Sequence, residues 1–223
     1  MNGIVHQVRD EIRIIVRGKT IDIILPPLVF GIVNSFVSLN IAIFLSLGLA
    51  LTLGGVRLFR GQKWHYALGG LLGVSLASGF SYLTQSAVNY FIPAIAGTLF
   101  LLILTVISLL LGKPLAAWMS HIVRGWPIEW YWRHDVVPAY REVTFFWSAL
   151  LFIRLILQTV LFYTNEVITL AWVTSILGRP ITILVLILSY IYGVWRLKRL
   201  GGPGVEEYRQ SKERPWAGQK KGF

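Results

Sequence analysis

The run Ile21–Val56, IDIILPPLVFGIVNSFVSLNIAIFLSLGLALTLGGV, decides what kind of protein this is. Its thirty-six residues carry one charge, Asp22. A helix rises about 1.5 Å per residue and a hydrocarbon layer is ~30 Å thick, so about 20 residues make one crossing. The run is too long for one span and just long enough for two. Asn34-Ser35 and Ser38-Leu39-Asn40 put a tight turn between them. Pro26 and Pro27 lack the backbone N–H and are expected to distort the first span in its N-terminal third.

Working outward, the same logic finds four more apolar stretches. The expected fold is all-α: a polytopic membrane bundle of six transmembrane helices, near 20–38, 40–57, 64–83, 90–112, 144–164 and 168–195, within a domain covering 20–196. The last stretch exceeds one straight crossing, so Gly178-Arg179-Pro180 predicts a kink or a short outer helix there. Residues 1–19 read as a basic amphipathic helix in the headgroup plane, with Ile4, Val8, Ile12 and Ile15 on one face. Residues 197–223 read as a basic, mobile tail.

Topology follows from charge. Lys and Arg outside the six spans number four in the N-terminal segment, then none, three, none, four and none in successive loops, and eight in the tail. Positive loops stay inside, so this alternation predicts six spans with both termini cytoplasmic. The bacterial inner membrane is the expected location.

Composition narrows the function. With 55% hydrophobic and 14% charged residues the chain is not composed like a soluble domain. The net charge of +11 is spread between and after apolar runs, which points to anionic lipid headgroups and not to nucleic acid. The absence of cysteine excludes disulfides and thiolate metal sites. There is no Walker A loop, Gly-x-Ser-x-Gly or His-Glu-x-x-His motif, and neither a cofactor nor a metal site is expected.

Four groups of residues are candidates for specific roles. Gly69, Gly73, Ala77 and Ser81 recur at four-residue spacing, a stripe that lets another helix approach closely; packing within the chain is the first expectation and a dimer face the second. Arg154 lies near the middle of the fifth span, where an arginine costs about 2.5–3.5 kcal/mol on an insertion scale, so it must face the interior. Gln158 and Asn165 follow on its stripe, and Arg179 is the other intramembrane cation; these four could hold an anionic ligand. Alternatively, Arg154 bonds carbonyls freed near Pro26-Pro27 or Gly178-Pro180. Finally, residues 113–143 form a cytoplasmic aromatic loop. In it, Leu115, Trp118, Met119 and Ile122 share one face of an interfacial helix ending near Gly125. Trp126, Trp130, Tyr131, Trp132, Arg133, His134 and Asp135 then read as an interfacial docking belt whose charges pair locally. Glu129, His134, Asp135 and Glu142 could instead supply acid–base or metal chemistry.

Val56-Arg57-Leu58, Tyr66-Ala67-Leu68-Gly69-Gly70, Gly112-Lys113-Pro114-Leu115 and the series Trp132-Arg133, Asp135, Tyr140, Trp147, Arg154 and Gln158 carry a resemblance. From about Val56 to Thr164 the chain resembles a bacterial membrane family, domain of unknown function 3159. It is more distantly similar to the intracellular septation protein A family. The resemblance implies a multi-helix inner-membrane protein and no established activity. The first functional expectation is therefore a non-enzymatic accessory or scaffold subunit, partnered by anionic lipid and other membrane subunits. A transporter or channel for an anionic solute or lipid, using Arg154, is the second. A lipid-directed enzyme using Glu129, His134 and Asp135 is the third.

Overall fold

The computed structural model describes residues 21–59, 61, 64–219 and 222–223. The expected N-terminal amphipathic helix lies outside them. The described residues form helices and no strands: α1 Ile21–Asn34, α2 Leu39–Phe59, α3 Trp64–Thr84, a 3-10 turn Val88–Phe91, α4 Ile92–Leu110, α5 Leu115–Arg124, the single turn α6 Ile128–Tyr131, α7 Val137–Tyr163, α8 Val167–Ile176, α9 Arg179–Leu200 and α10 Val205–Arg209. Four stretches are long and apolar enough to cross a membrane: Leu39–Phe59, Val88–Leu110, Val137–Tyr163 and Val167–Leu200. The other two expected spans contain shorter apolar helices, Ile24–Asn34 and Leu68–Thr84. Phe36, Phe59, Leu83, Leu110 and Tyr163 are each more than three-quarters exposed, which suits a chain solvated by lipid and not by water. These apolar helices mark a membrane-embedded protein.

The chain divides into two compact units, each taken by itself here: one of residues up to Thr98 with Arg154–Ile183, the other of Leu99–Ile153 with Leu184–Phe223. In the first unit, α1 packs on α2 and α8, and α2 packs on α3. The turn between α1 and α2 uses the expected polar residues, with Ser35 Oγ donating to Gly31 O at 2.9 Å. α1 runs on through Pro26 and Pro27, and Pro26 is buried. The core gathers Phe30, Ala42, Ile43, Ala77, Val88, Tyr90, Phe91, Leu170 and Ala171. Phe30 stacks on Tyr90 with centroids 3.9 Å apart. Gly31 has a reason to be glycine, because a Cβ there would lie 2.6 Å from the Cβ of Ala171.

The second unit has an aromatic core. Trp130, Tyr131 and Tyr140 are fully buried, with Ala116, Ala117, Val136, Ala139, Val143, Leu197 and Val205 around them. α5 ends where expected, at Gly125, whose φ of 64° is easy only for glycine and whose N–H bonds His121 O. Three expectations are corrected here. The docking belt is not a belt at Trp130 and Tyr131, which are interior residues: burying two large rings stabilises more than leaving them at an interface. The helix that holds the expected fifth span begins at Val137, ahead of 144, because Ala139, Tyr140, Val143 and Thr144 continue the buried face for nearly two turns; Pro138 is tolerated in the first turn, where its missing N–H costs nothing. The tail is packed, not mobile. Pro203 O accepts from Trp130 Nε1 at 2.9 Å, Phe223 stacks on Tyr140 at 4.2 Å, and Arg124 Nε donates to Phe223 O at 2.8 Å.

Candidate functional site

The sixth apolar stretch is divided at Leu177-Gly178, between α8 and α9. Pro180 supplies no N–H in the first turn of α9, so carbonyls at the end of α8 have fewer backbone donors. Arg154, in the middle of α7, reaches this break: its Nη1 donates to Leu177 O at 3.1 Å. One turn on, Gln158 is wholly buried, and its Nε2 donates to Thr174 Oγ1 at 3.2 Å. Each side chain is only partly satisfied. Arg154 Nε, Gln158 Oε1 and the neighbouring Ser175 Oγ are buried with no hydrogen-bond partner. Buried polar atoms are usually paired, so three orphans on two adjoining helix segments mark this as a place of unmet hydrogen bonding.

The other two residues of this expected group are elsewhere. Asn165 takes a positive φ of 57° in the turn after α7, a backbone role asparagine fills well, and its side chain is exposed. Arg179 opens α9 and is exposed. Among the described residues no hydrogen bond joins either to Arg154 or Gln158. Thr174 was missed from sequence, whereas Leu177 O is a carbonyl at the Gly178-Arg179-Pro180 break, one of the two places expected to offer Arg154 a backbone partner.

The small-residue stripe of α3 is split. Ala77 and Ser81 are buried, and Ser81 Oγ donates to Ser86 O at 2.9 Å. Gly69 and Gly73 are exposed, and no described atom lies within 4 Å of where a Cβ would stand on either.

In the second unit, Arg133 grips Asp135 with two bonds, Nε to Oδ1 at 2.9 Å and Nη2 to Oδ2 at 2.8 Å. Burial pushes the Asp135 carboxyl up, but the Arg133 bonds and charge outweigh it and hold that carboxyl below the usual range. His134 and Glu129 are exposed, and among the described residues no three of His, Asp and Glu converge. Trp126 and Trp132 are half-buried. Trp118 is exposed, as are Met119, Ile122 and Val123 on the same helix. Those side chains leave one apolar face of α5 exposed, and Ala116 and Ala117 seal the other side.

A second polar constellation was missed because its members lie fifty residues and more apart. Glu142 on α7 accepts from Tyr192 Oη at 2.6 Å and from Arg196 Nε and Nη2, both at 2.7 Å. Below it, Trp147 Nε1 donates to Ser189 Oγ at 2.9 Å. Along these helices runs a groove of about 730 Å³, lined by apolar side chains including Val143, Phe145, Phe146, Ala149, Leu188 and Ile191.

A family model described as a protein of unknown function, DUF3159, matches residues 16–199. The match reaches well beyond the 56–164 segment that carried the resemblance. The more distant similarity to the intracellular septation protein A family is not shown. No curated protein and no solved structure matches the chain.

Proposed function

The chain belongs to the DUF3159 family, and from that premise we propose that it is a non-enzymatic, multi-pass protein of the bacterial inner membrane, serving as an accessory or scaffold subunit of a larger membrane complex. The single observation that carries this reading is the open half of the α3 stripe. Gly69 and Gly73 present a bare backbone surface, while Ala77 and Ser81 on the same stripe are already used inside. In lipid there is no hydrophobic drive between helices, so small residues that permit close backbone contact are what select a partner helix. The exposed apolar face of α5 adds a second surface, at the level of the headgroups. Six crossings with both termini cytoplasmic fit the alternation of Lys and Arg. Anionic lipid and other membrane subunits are the partners.

The test is the size of the assembly in native membranes. Extracted in mild detergent, the protein migrates with a partner, and Gly69→Ile with Gly73→Ile releases it. A wild-type protein that migrates alone sinks the reading.

A second reading is favoured by the orphaned atoms around Arg154. An intramembrane cation at a broken helix is a common seat for an anionic solute or lipid in transporters. Uptake of anions into proteoliposomes that is abolished by Arg154→Met supports it; uptake equal to empty vesicles removes it.

A further inference from the structure

The groove on α7 and α9 is graded from end to end. Its apolar part is walled by Phe145, Phe146 and Ala149 of α7 and by Leu188 and Ile191 of α9. Towards the start of α7 and the end of α9, which are antiparallel neighbours here through the Glu142–Arg196 pair, the lining turns amphipathic with Tyr192 and Trp195. Beyond these, on the same face of α9, stand Arg196 and Arg199.

The charges at that end do not cancel. Glu142 is the acid in the lining, and Arg196 neutralises it with a two-pronged pair at 2.7 Å. Arg199 is exposed and lies over the Trp195 ring, 5.4 Å from its centroid. Among the described residues Arg199 forms no ion pair. The groove therefore has an oily body, an aromatic waist and a net positive lip.

We propose that this groove is a binding site for one anionic glycerophospholipid, its acyl chain against Phe146, Ala149 and Leu188 and its phosphate at Arg199. A volume of about 730 Å³ lies in the range that holds a drug-sized or larger apolar ligand. Basic ends of clefts between membrane helices attract acidic headgroups by the same charge logic. The aromatic pair fits the level where chain meets headgroup, because Tyr and Trp rings favour that boundary. A helix of another subunit would fill the apolar body as well, but it would leave the unpaired cation at the lip without a partner.

The test is native mass spectrometry of the full-length protein titrated with phosphatidylglycerol and, separately, with phosphatidylcholine. Wild type retains phosphatidylglycerol selectively. Arg199→Gln lowers that selectivity by about fivefold, the worth of one cation near a lipid surface. Glu142→Gln, which frees Arg196 for the headgroup, raises it. Ala149→Trp fills the body of the groove and removes binding of both lipids; Leu188→Trp does the same if the first variant fails to fold. Leu101→Trp, an exposed position outside the lining, leaves binding unchanged. Equal retention of the two lipids by wild type, or binding indifferent to both groove-filling variants, overturns the proposal. So does a co-purifying polypeptide that crosslinks to Ala149 or Leu188 while no lipid is retained. Loss of the partner in the Gly69 and Gly73 variants is read separately and decides nothing about the groove.

Discussion

The two units of the molecule solve the packing problem differently. The first brings helices together by keeping side chains small: Gly31 against Ala171, with Ala42, Ala77 and Ser81 along the contacts and one stacked pair, Phe30 and Tyr90. The second fills a polar region with rings. Trp130, Tyr131 and Tyr140 meet edge-on, Phe223 stacks on the last of them, and side chains fix backbone across long separations, as Trp130 does with Pro203. Small residues stabilise by letting backbones approach closely, whereas large rings add apolar area and polar handles that fix distant backbone.

Four measurements press on that contrast, beginning with the largest effect. Trp130→Ala should destabilise the second unit by about 3–5 kcal/mol, the usual loss for a buried large aromatic. Limited proteolysis would show the segment after Leu200 becoming sensitive, and Trp130→Phe should lose only the bond to Pro203, about 1–3 kcal/mol. Gly31→Val should cost about 1–3 kcal/mol by forcing α1 from α8. It should lower the thermal midpoint in detergent and leave the tail as resistant as in wild type; sensitivity of the tail would show that the two cores are not independent.

Arg154→Met is the third. It gives up one charge-assisted hydrogen bond of about 1.5–3 kcal/mol and removes a cation whose depth costs about 2.5–3.5 kcal/mol. If Arg154 has no ligand, stability should therefore rise, by up to about 2 kcal/mol, read as a higher thermal midpoint. A fall would mean that Arg154 holds more than Leu177 O.

The smallest effect is that of acid. Burial raises the Asp135 carboxyl, yet Arg133 holds it below its ordinary value, so its pairing stabilises the fold fully above the unfolded value of about 4 and is lost as pH falls through the folded one. Glu207 behaves alike, because the N–H groups of Gly204, Ala217 and Gly218 point at its carboxylate. Protease sensitivity of the tail should rise below about pH 4, and Asp135→Asn should flatten part of that rise.

Where local chemistry and periodicity decided the outcome, the sequence could be read. The turn at Ser35–Ser38, the end of α5 at Gly125 and the break before Pro180 all rest on residues with few conformational choices. Arg154 could be marked as interior because charge at depth is expensive whatever surrounds it. Its partner could be narrowed to carbonyls freed near Pro26-Pro27 or Gly178-Pro180, and only the fold chose Leu177 O, since a backbone atom has no sequence signature of its own.

The reading of Trp130 and Tyr131 as part of a surface belt failed for a different reason. Trp and Tyr suit a membrane interface and a protein core equally well, each having an apolar body and one polar handle. Only the fold shows that Pro203 O waits for the Trp130 N–H and that Ser120 meets the Tyr131 hydroxyl at 3.0 Å. The Glu142–Tyr192–Arg196 cluster was hidden likewise, because α7 and α9 are brought together by packing and not by any pattern within either helix.

By itself, then, the amino-acid order determined that this is a helical membrane protein, about where its apolar helices lie and where the last of them breaks. Those properties follow from the cost of charge and of unpaired backbone in hydrocarbon, which each segment meets alone. The tertiary structure decided which aromatic residues are core, that the basic tail is packed, and that a groove with a positive lip exists. Each of these is a contact between distant segments, and its free energy exists only once both are in place.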